Sequence, residues 1–282
     1  MIYKENKGSF IHRVNYGLPF ETLAIEEANG CPFYCEYCFL KSYFSERDVV
    51  LYTNKKSLFE ELERRLSEGK KRRFYLGEYS EPLWANRFNG LVSEIIEIFR
   101  GYPEEELEVR TKFNDVDFLK DIRPLKNIIF AWSLLPEDIS ERIEKGVPSV
   151  EERIKAMVKT KEMGFRIGVR LEPLLLYKGW EDGYSKLMKK VSFALDEPLE
   201  MGALRLTPSL RRLIYSKNPE SEILKNEFIL SKDGKLRYPR GIRFRLYNYI
   251  LSLIPKSRVR IYMEEEFLIE TLTKITRCSI IR

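Results

Sequence analysis

Histidine is nearly absent from this chain: His12 is the one example in 282 residues. That excludes a His-rich metal centre and argues against acid–base chemistry built on histidines. Cysteine is scarce too, at four residues, which is too sparse for the disulfide framework of a small secreted scaffold. No apolar run approaches the roughly 18 residues of a membrane-spanning helix. The first residues, Tyr3-Lys4-Glu5-Asn6-Lys7, lack the apolar stretch of a secretion signal. Internal repeats and low-complexity linkers are missing as well, so the length fits one large domain, or one with a small appendage. A soluble, cytoplasmic monomer without membrane contact is expected, in a compartment where thiols stay reduced.

Charge, by contrast, is plentiful. Charged residues make up 33% of the chain, against about 25% in an average globular protein. The formal net charge of +6 is mild and does not by itself imply a nucleic-acid partner. Its distribution is uneven. Residues 104–108 and 264–266 are acidic, while 205–217 and 235–245 are strongly basic.

Three of the four cysteines crowd into one run, Asn29-Gly30-Cys31-Pro32-Phe33-Tyr34-Cys35-Glu36-Tyr37-Cys38-Phe39-Leu40, with the spacing C-x3-C-x2-C. Thiolates are soft ligands that suit zinc or iron–sulfur clusters. Closed zinc sites and plain electron-transfer clusters take four protein ligands, and this run offers three. A structural zinc would need Cys278 or His12 as the fourth ligand; otherwise Cys278 reads as a buried structural cysteine. A [4Fe–4S] cluster on three thiolates leaves one iron open to bind a small molecule. The spacing, with an aromatic before the last cysteine and Phe39 after it, resembles the signature of the radical S-adenosylmethionine (SAM) superfamily. The resemblance implies a cluster on Cys31, Cys35 and Cys38 whose open iron chelates SAM. An electron from a donor such as flavodoxin or ferredoxin then yields a 5′-deoxyadenosyl radical.

The body of the chain alternates strand and helix patterns, as parallel α/β folds do. Strands are expected at Thr22–Ala28, Arg73–Leu76, Leu107–Phe113, Asn127–Leu135, Arg166–Leu176 and Gly202–Leu206. Helices are expected at Ser57–Ser67, Leu91–Phe99, Val116–Ile122, Val150–Met163 and Trp180–Ala194. Six strand–helix units suit a partial (β/α)6 TIM-type barrel, with active-site residues at the C-terminal strand ends. Beyond about Pro208 the alternation breaks. A hairpin with an Asp-Gly turn (Phe228–Leu230 and Lys235–Tyr238), a helix (Ile242–Leu253) and a last strand (Val259–Glu264) are expected there. Residues 1–210 therefore read as the partial barrel, and 211–282 as a C-terminal hairpin and helix extension packed on it.

Candidate binding groups fall at strand ends. Leu76-Gly77-Glu78-Tyr79-Ser80-Glu81-Pro82 follows the second strand and offers hydrogen-bond acceptors for an ammonium group. Lys112 ends the third strand and suits a carboxylate; Ser133 ends the fourth. A narrower resemblance then emerges, to the spore photoproduct lyases, which reverse a thymine dimer in DNA by radical chemistry. It rests on the cysteine loop with Tyr37 and Leu40, on Val109–Asp117, on Ser133, on Glu172-Pro173 with Gly179–Tyr184, and on the basic segment from Arg205. It implies Ser80 and Glu81 at the SAM amino group, Lys112 at its carboxylate, Ser133 at its ribose and Phe39 near the adenosyl group. Where the lyases carry a further cysteine that donates hydrogen to the product radical, this chain has Glu78. Tyr79 and Tyr37 are the alternative donors, and Phe39 stands where a tyrosine is usual. The N-terminal extension of many lyases has no counterpart.

The basic segment interleaves Arg211, Arg212, Lys235, Arg237 and Arg240 with aromatics such as Tyr215 and Tyr238. Cations neutralise phosphates and aromatics stack on exposed bases, and a hairpin suits wedging beside an extruded base. Nucleic acid is the expected substrate. RNA, a peptide or a small molecule remains the alternative, as does a zinc-stabilised nucleic-acid-binding module.

Overall fold

Short runs rich in β-branched and aromatic residues become strands in the computed structural model, which describes residues 1–17, 20–43, 48–254, 258–276 and 279–281. The chain divides into two compact units, each assembled from separate stretches. The first comprises Met1–Pro32, Glu46–Trp132 and Glu151–Gly168; the second comprises Phe33–Ser45, Ser133–Val150 and Val169–Arg282.

In the first unit, β1 (Ile11–Val14) runs antiparallel to β2 (Thr22–Ile25). Next come β3 (Arg73–Leu76), β4 (Glu106–Thr111) and β5 (Ile128–Ser133), all parallel to β2. Strand β3 is buried on both faces, which is why it reads as a continuous rather than alternating run. Its one charged residue, Arg73, is neutralised by Glu106 at 2.6 Å and Glu108 at 3.1 Å. The helices cover this sheet with apolar stripes at three- and four-residue spacing. Lys55–Leu66 buries Leu58, Leu62 and Leu66, and Leu91–Phe99 buries Leu91, Val92, Ile95, Ile96 and Phe99.

In the second unit, β6 (Arg166–Leu174) lies parallel to β7 (Leu199–Ala203), β7 to β8 (Arg258–Ile261), and β8 to β9 (Ser279–Ile281). Helices Trp180–Lys190 and Arg240–Leu253 belong to the same unit.

Parallel strands alternating with helices place the chain in the α/β class expected. Several boundaries differ. The first strand stops at Ile25, and Ala28–Asn29 instead pairs antiparallel with Val50–Leu51. The sixth strand is Leu199–Ala203 rather than Gly202–Leu206. Arg205–Leu206 leaves the parallel ladder and pairs with Leu236–Arg237 of the C-terminal hairpin. That hairpin joins Ile229–Leu230 to Leu236–Arg237 as expected. Helices Pro82–Asn89, Pro208–Lys217 and Glu266–Thr276 were not expected. Counting Arg258–Ile261 and Ser279–Ile281, the parallel strands among the described residues exceed the six strand–helix units foreseen.

Candidate active site

In the first unit the site is built around the turn after β3. Gly77 has φ +97°, and a Cβ there would sit 2.4 Å from the Arg110 carbonyl oxygen. Only glycine suits that approach. Gly30, with φ +87°, donates its N–H to the Tyr79 carbonyl at 2.9 Å and bridges Ser80. The residue preceding Cys31 is thereby clipped to the strand-end turn.

Two carboxylates are buried at this clip. Glu81 is 5% exposed; it accepts a hydrogen bond from the Thr111 hydroxyl and one from the Lys112 N–H at 2.8 Å. Burial pushes its pKa up to about 7 against those bonds. Glu27, 1% exposed, accepts from the Ser80 hydroxyl, and burial pushes its pKa up to about 8. An ammonium group placed beside such a buried carboxyl favours its charged, accepting form.

Glu78 sits in a different network. Its Oε2 accepts from the Tyr16 hydroxyl and from Arg110 at 3.0 Å. Arg110 also donates to Glu108 at 3.0 Å and lies over the Tyr75 ring at 3.6 Å. The carboxylates and phenols around the guanidinium hold its pKa well above the ordinary value despite its burial. Tyr79 packs edge-on against His12 at 5.9 Å. His12 itself bonds Glu26 at 2.9 Å.

The second unit holds the rest of the cysteine loop. Cys35 is buried and pairs with Glu144 in a short antiparallel ladder, while Cys38 is half-buried. The loop is tightened by Cys38 N–H donating to the Cys35 carbonyl at 3.2 Å and by Glu36 N–H donating to the Ile143 carbonyl at 2.9 Å. Tyr37 donates its hydroxyl to the buried Glu144, which also accepts from Ser140 at 2.6 Å. Glu36 accepts from Asn218 at 2.8 Å and from Ser221. Burial lowers the pKa of Lys41, and Cys35 and Cys38 oppose that shift. Phe39 is 39% exposed and meets Tyr43 edge-on at 5.7 Å. Lys235 of the hairpin reaches the Tyr43 hydroxyl at 3.3 Å. Ser133 is half-buried.

The five cations assigned to nucleic acid divide. Arg211 and Arg212 are exposed on helix Pro208–Lys217. Lys235 is half-buried. Arg237 is buried and braces its own hairpin through Asp233 at 2.5 Å and the Met263 carbonyl at 2.9 Å. Arg240 pairs with Glu265 at 2.9 Å and lies over Phe267. Cys278 lies outside the described residues.

The donor set fits an iron–sulfur cluster: three cysteine side chains in one short loop whose backbone is pinned on both sides. Among the described residues no three His, Cys, Asp or Glu side chains gather as for a single metal ion. In a cluster each thiolate takes its own iron, so the sulfurs need not meet at one point. Sequence reasoning missed Glu27, Tyr16, Arg110, Thr111 and Glu144. Their partners lie up to 107 residues away, and although Arg110 and Thr111 fall within the Val109–Asp117 motif, no local pattern marks Glu27, Tyr16 or Glu144.

Residues 3–271 match the family described as spore photoproduct lyase. The chain is similar to the spore photoproduct lyase of Bacillus subtilis, at 24% identity over 92% of this chain and 83% of that one. It is similar to that of Clostridium acetobutylicum, at 24% identity over 81% and 68%. Among solved structures, spore photoproduct lyase complexed with dinucleoside spore photoproduct superimposes with a TM-score of 0.77 at 22% identity, covering 90% of this chain and 80% of that chain. A variant with bound AdoMet and the same dinucleoside gives 0.76 at 20% identity, with the same coverage. No helix among the described residues is long and apolar enough to cross a membrane.

Proposed function

Because the chain belongs to the spore photoproduct lyase family, we propose that this radical SAM lyase holds a [4Fe–4S] cluster on Cys31, Cys35 and Cys38 and reverses a base lesion in DNA. When bound, the cluster and SAM supply a 5′-deoxyadenosyl radical that abstracts hydrogen from the substrate. The protein's own residues bind, orient and shield. Ser80 and Glu81 accept hydrogen bonds from the SAM ammonium group, and Lys112, one residue past β4, takes the carboxylate. Ser133 takes the ribose, and the exposed face of Phe39 lies at the adenosyl group. Glu78 acts as an acceptor for Tyr16 and Arg110 and supplies no hydrogen atom. Tyr37, held by Glu144, and Tyr79 are the phenols proposed to return one.

Arg211, Arg212 and Lys235 meet phosphates, while Arg237 braces the hairpin and Arg240 is held by Glu265. Ile229 and Leu230, 46% and 67% exposed, provide an apolar edge beside the Asp233-Gly234 turn for unstacking a base. A flavodoxin- or ferredoxin-type protein delivers the electron to a cytoplasmic monomer.

The observation that carries this reading is the buried Ser80–Glu81 pair of acceptors, clipped by Gly30 to the start of the cysteine loop. Cluster-loaded protein with a reductant, assayed without oxygen, is expected to convert SAM to 5′-deoxyadenosine, and Cys35→Ala to abolish this. Ultraviolet-damaged DNA, undamaged DNA and RNA run in parallel identify the substrate. Cluster-loaded protein that leaves SAM intact would refute the proposal.

A further inference from the structure

Glu27 is not part of the cysteine loop, nor of the strand-end turn that offers acceptors to SAM. Yet it is 1% exposed and its carboxylate accepts the hydroxyl hydrogen of Ser80. Among the described residues it forms no ion pair with Lys, Arg or His. The charged and titratable groups around it are otherwise engaged. Glu26 turns to His12 at 2.9 Å, to Asn29 at 3.1 Å and to the Tyr52 hydroxyl at 2.6 Å. Glu81 is held by Thr111 and Lys112.

A serine hydroxyl has one hydrogen to give and two lone pairs to receive with. With its hydrogen committed to Glu27, Ser80 is left as a pure acceptor at a position fixed by its bridge to Gly30. Burying a carboxylate without a cation destabilises the empty fold, and an apolar or amide side chain of similar size would serve packing better.

We propose that Glu27 is a positioning residue for the ammonium end of SAM: by accepting the Ser80 hydrogen it fixes the Ser80 hydroxyl as an acceptor beside Glu81. The inference rests on the radical SAM reading of this site. Removing a hydrogen-bond partner of a charged group corresponds to roughly 10- to 100-fold in binding. Titration calorimetry on the cluster-loaded protein is the test. Glu27→Gln is expected to weaken SAM binding by about that factor. It leaves 5′-methylthioadenosine, which lacks the amino-acid end, within about twofold of the unaltered protein. In a Ser80→Ala background, Glu27→Gln adds under about threefold, since the two act through one contact.

Glu27→Gln protein that binds SAM normally, or that loses both ligands equally, overturns the inference. If Glu81→Gln and Cys35→Ala also leave SAM binding unchanged, the radical SAM assignment fails with it. If those two variants abolish binding, only the role of Glu27 is lost. Should Glu27→Gln not fold, Glu27→Asp reads the same contact, because the shorter side chain withdraws its carboxyl from Ser80.

Discussion

Replacing Glu81 by glutamine is expected to make the empty protein more stable and the site worse at its task. Its carboxyl titrates near pH 7 in the folded chain against an ordinary value of 4.5. A raised carboxyl pKa means that the native state binds the extra proton between those values, so stability falls as pH rises through that window. Below pH 4.5 the group is neutral in both states and has no effect. Above pH 7 the penalty is complete. At roughly 1.4 kcal/mol per pH unit it amounts to about 3 kcal/mol at pH 8 and under about 1 kcal/mol at pH 5.

Glu81→Gln removes this penalty while keeping the shape. The amide oxygen retains the Lys112 N–H. The amide nitrogen donates to Thr111 Oγ1, which already accepts from Phe113 N–H at 2.9 Å. Urea titrations of cluster-free protein should therefore show a gain near 3 kcal/mol at pH 8 that shrinks to under about 1 kcal/mol at pH 5. SAM affinity should fall by roughly 10- to 100-fold at pH 8. A variant less stable than the parent at pH 8, or one stabilised equally at both pH values, would show that the Glu81 carboxylate is not electrostatically strained.

Three further outcomes follow from other parts of the site. Gly30→Ala, which forces a Cβ to 2.8 Å from the Asp48 carbonyl oxygen at φ +87°, should cost roughly 1–3 kcal/mol in thermal or urea unfolding; its iron content after reconstitution should drop. Arg110→Met leaves Glu78 and Glu108 without their shared guanidinium. A loss of about 3–5 kcal/mol is expected in a urea titration, whereas Glu78→Gln should cost about 1 kcal/mol. Replacing both Arg211 and Arg212 by alanine should weaken DNA binding equally across sequences. It should also flatten the slope of log affinity against log salt by up to about 2, measured by fluorescence anisotropy.

Sequence legibility tracked the range of the interactions involved. Leu91–Phe99 was read to the residue because its apolar stripe is local. Pro82–Asn89 was overlooked, although Pro82 at the first turn and Gly90 at the end are ordinary helix punctuation. Only Pro82 falls in the polar turn read from the sequence, and residues 83–89 carry no expectation there. The sixth strand was framed three residues late because Arg205–Leu206 also has strand character, and only its distant partner Leu236–Arg237 reveals that it belongs elsewhere. The cysteines announce their chemistry through spacing. Glu27 does not, since a glutamate following another glutamate looks solvated until the fold buries it. The clip from Gly30 to Tyr79 and the hold of Glu144 on Tyr37 join residues far apart in the chain.

Glu36 stands between Cys35 and Cys38, and its carboxylate grips Asn218 and Ser221, just past the helix that carries Arg211 and Arg212. The cysteine loop is thus tied by one acidic side chain to the residues that follow the basic helix. On the proposed reading, ordering of the loop when a cluster is loaded is expected to reach the residues just past that helix through the Glu36 hydrogen bonds.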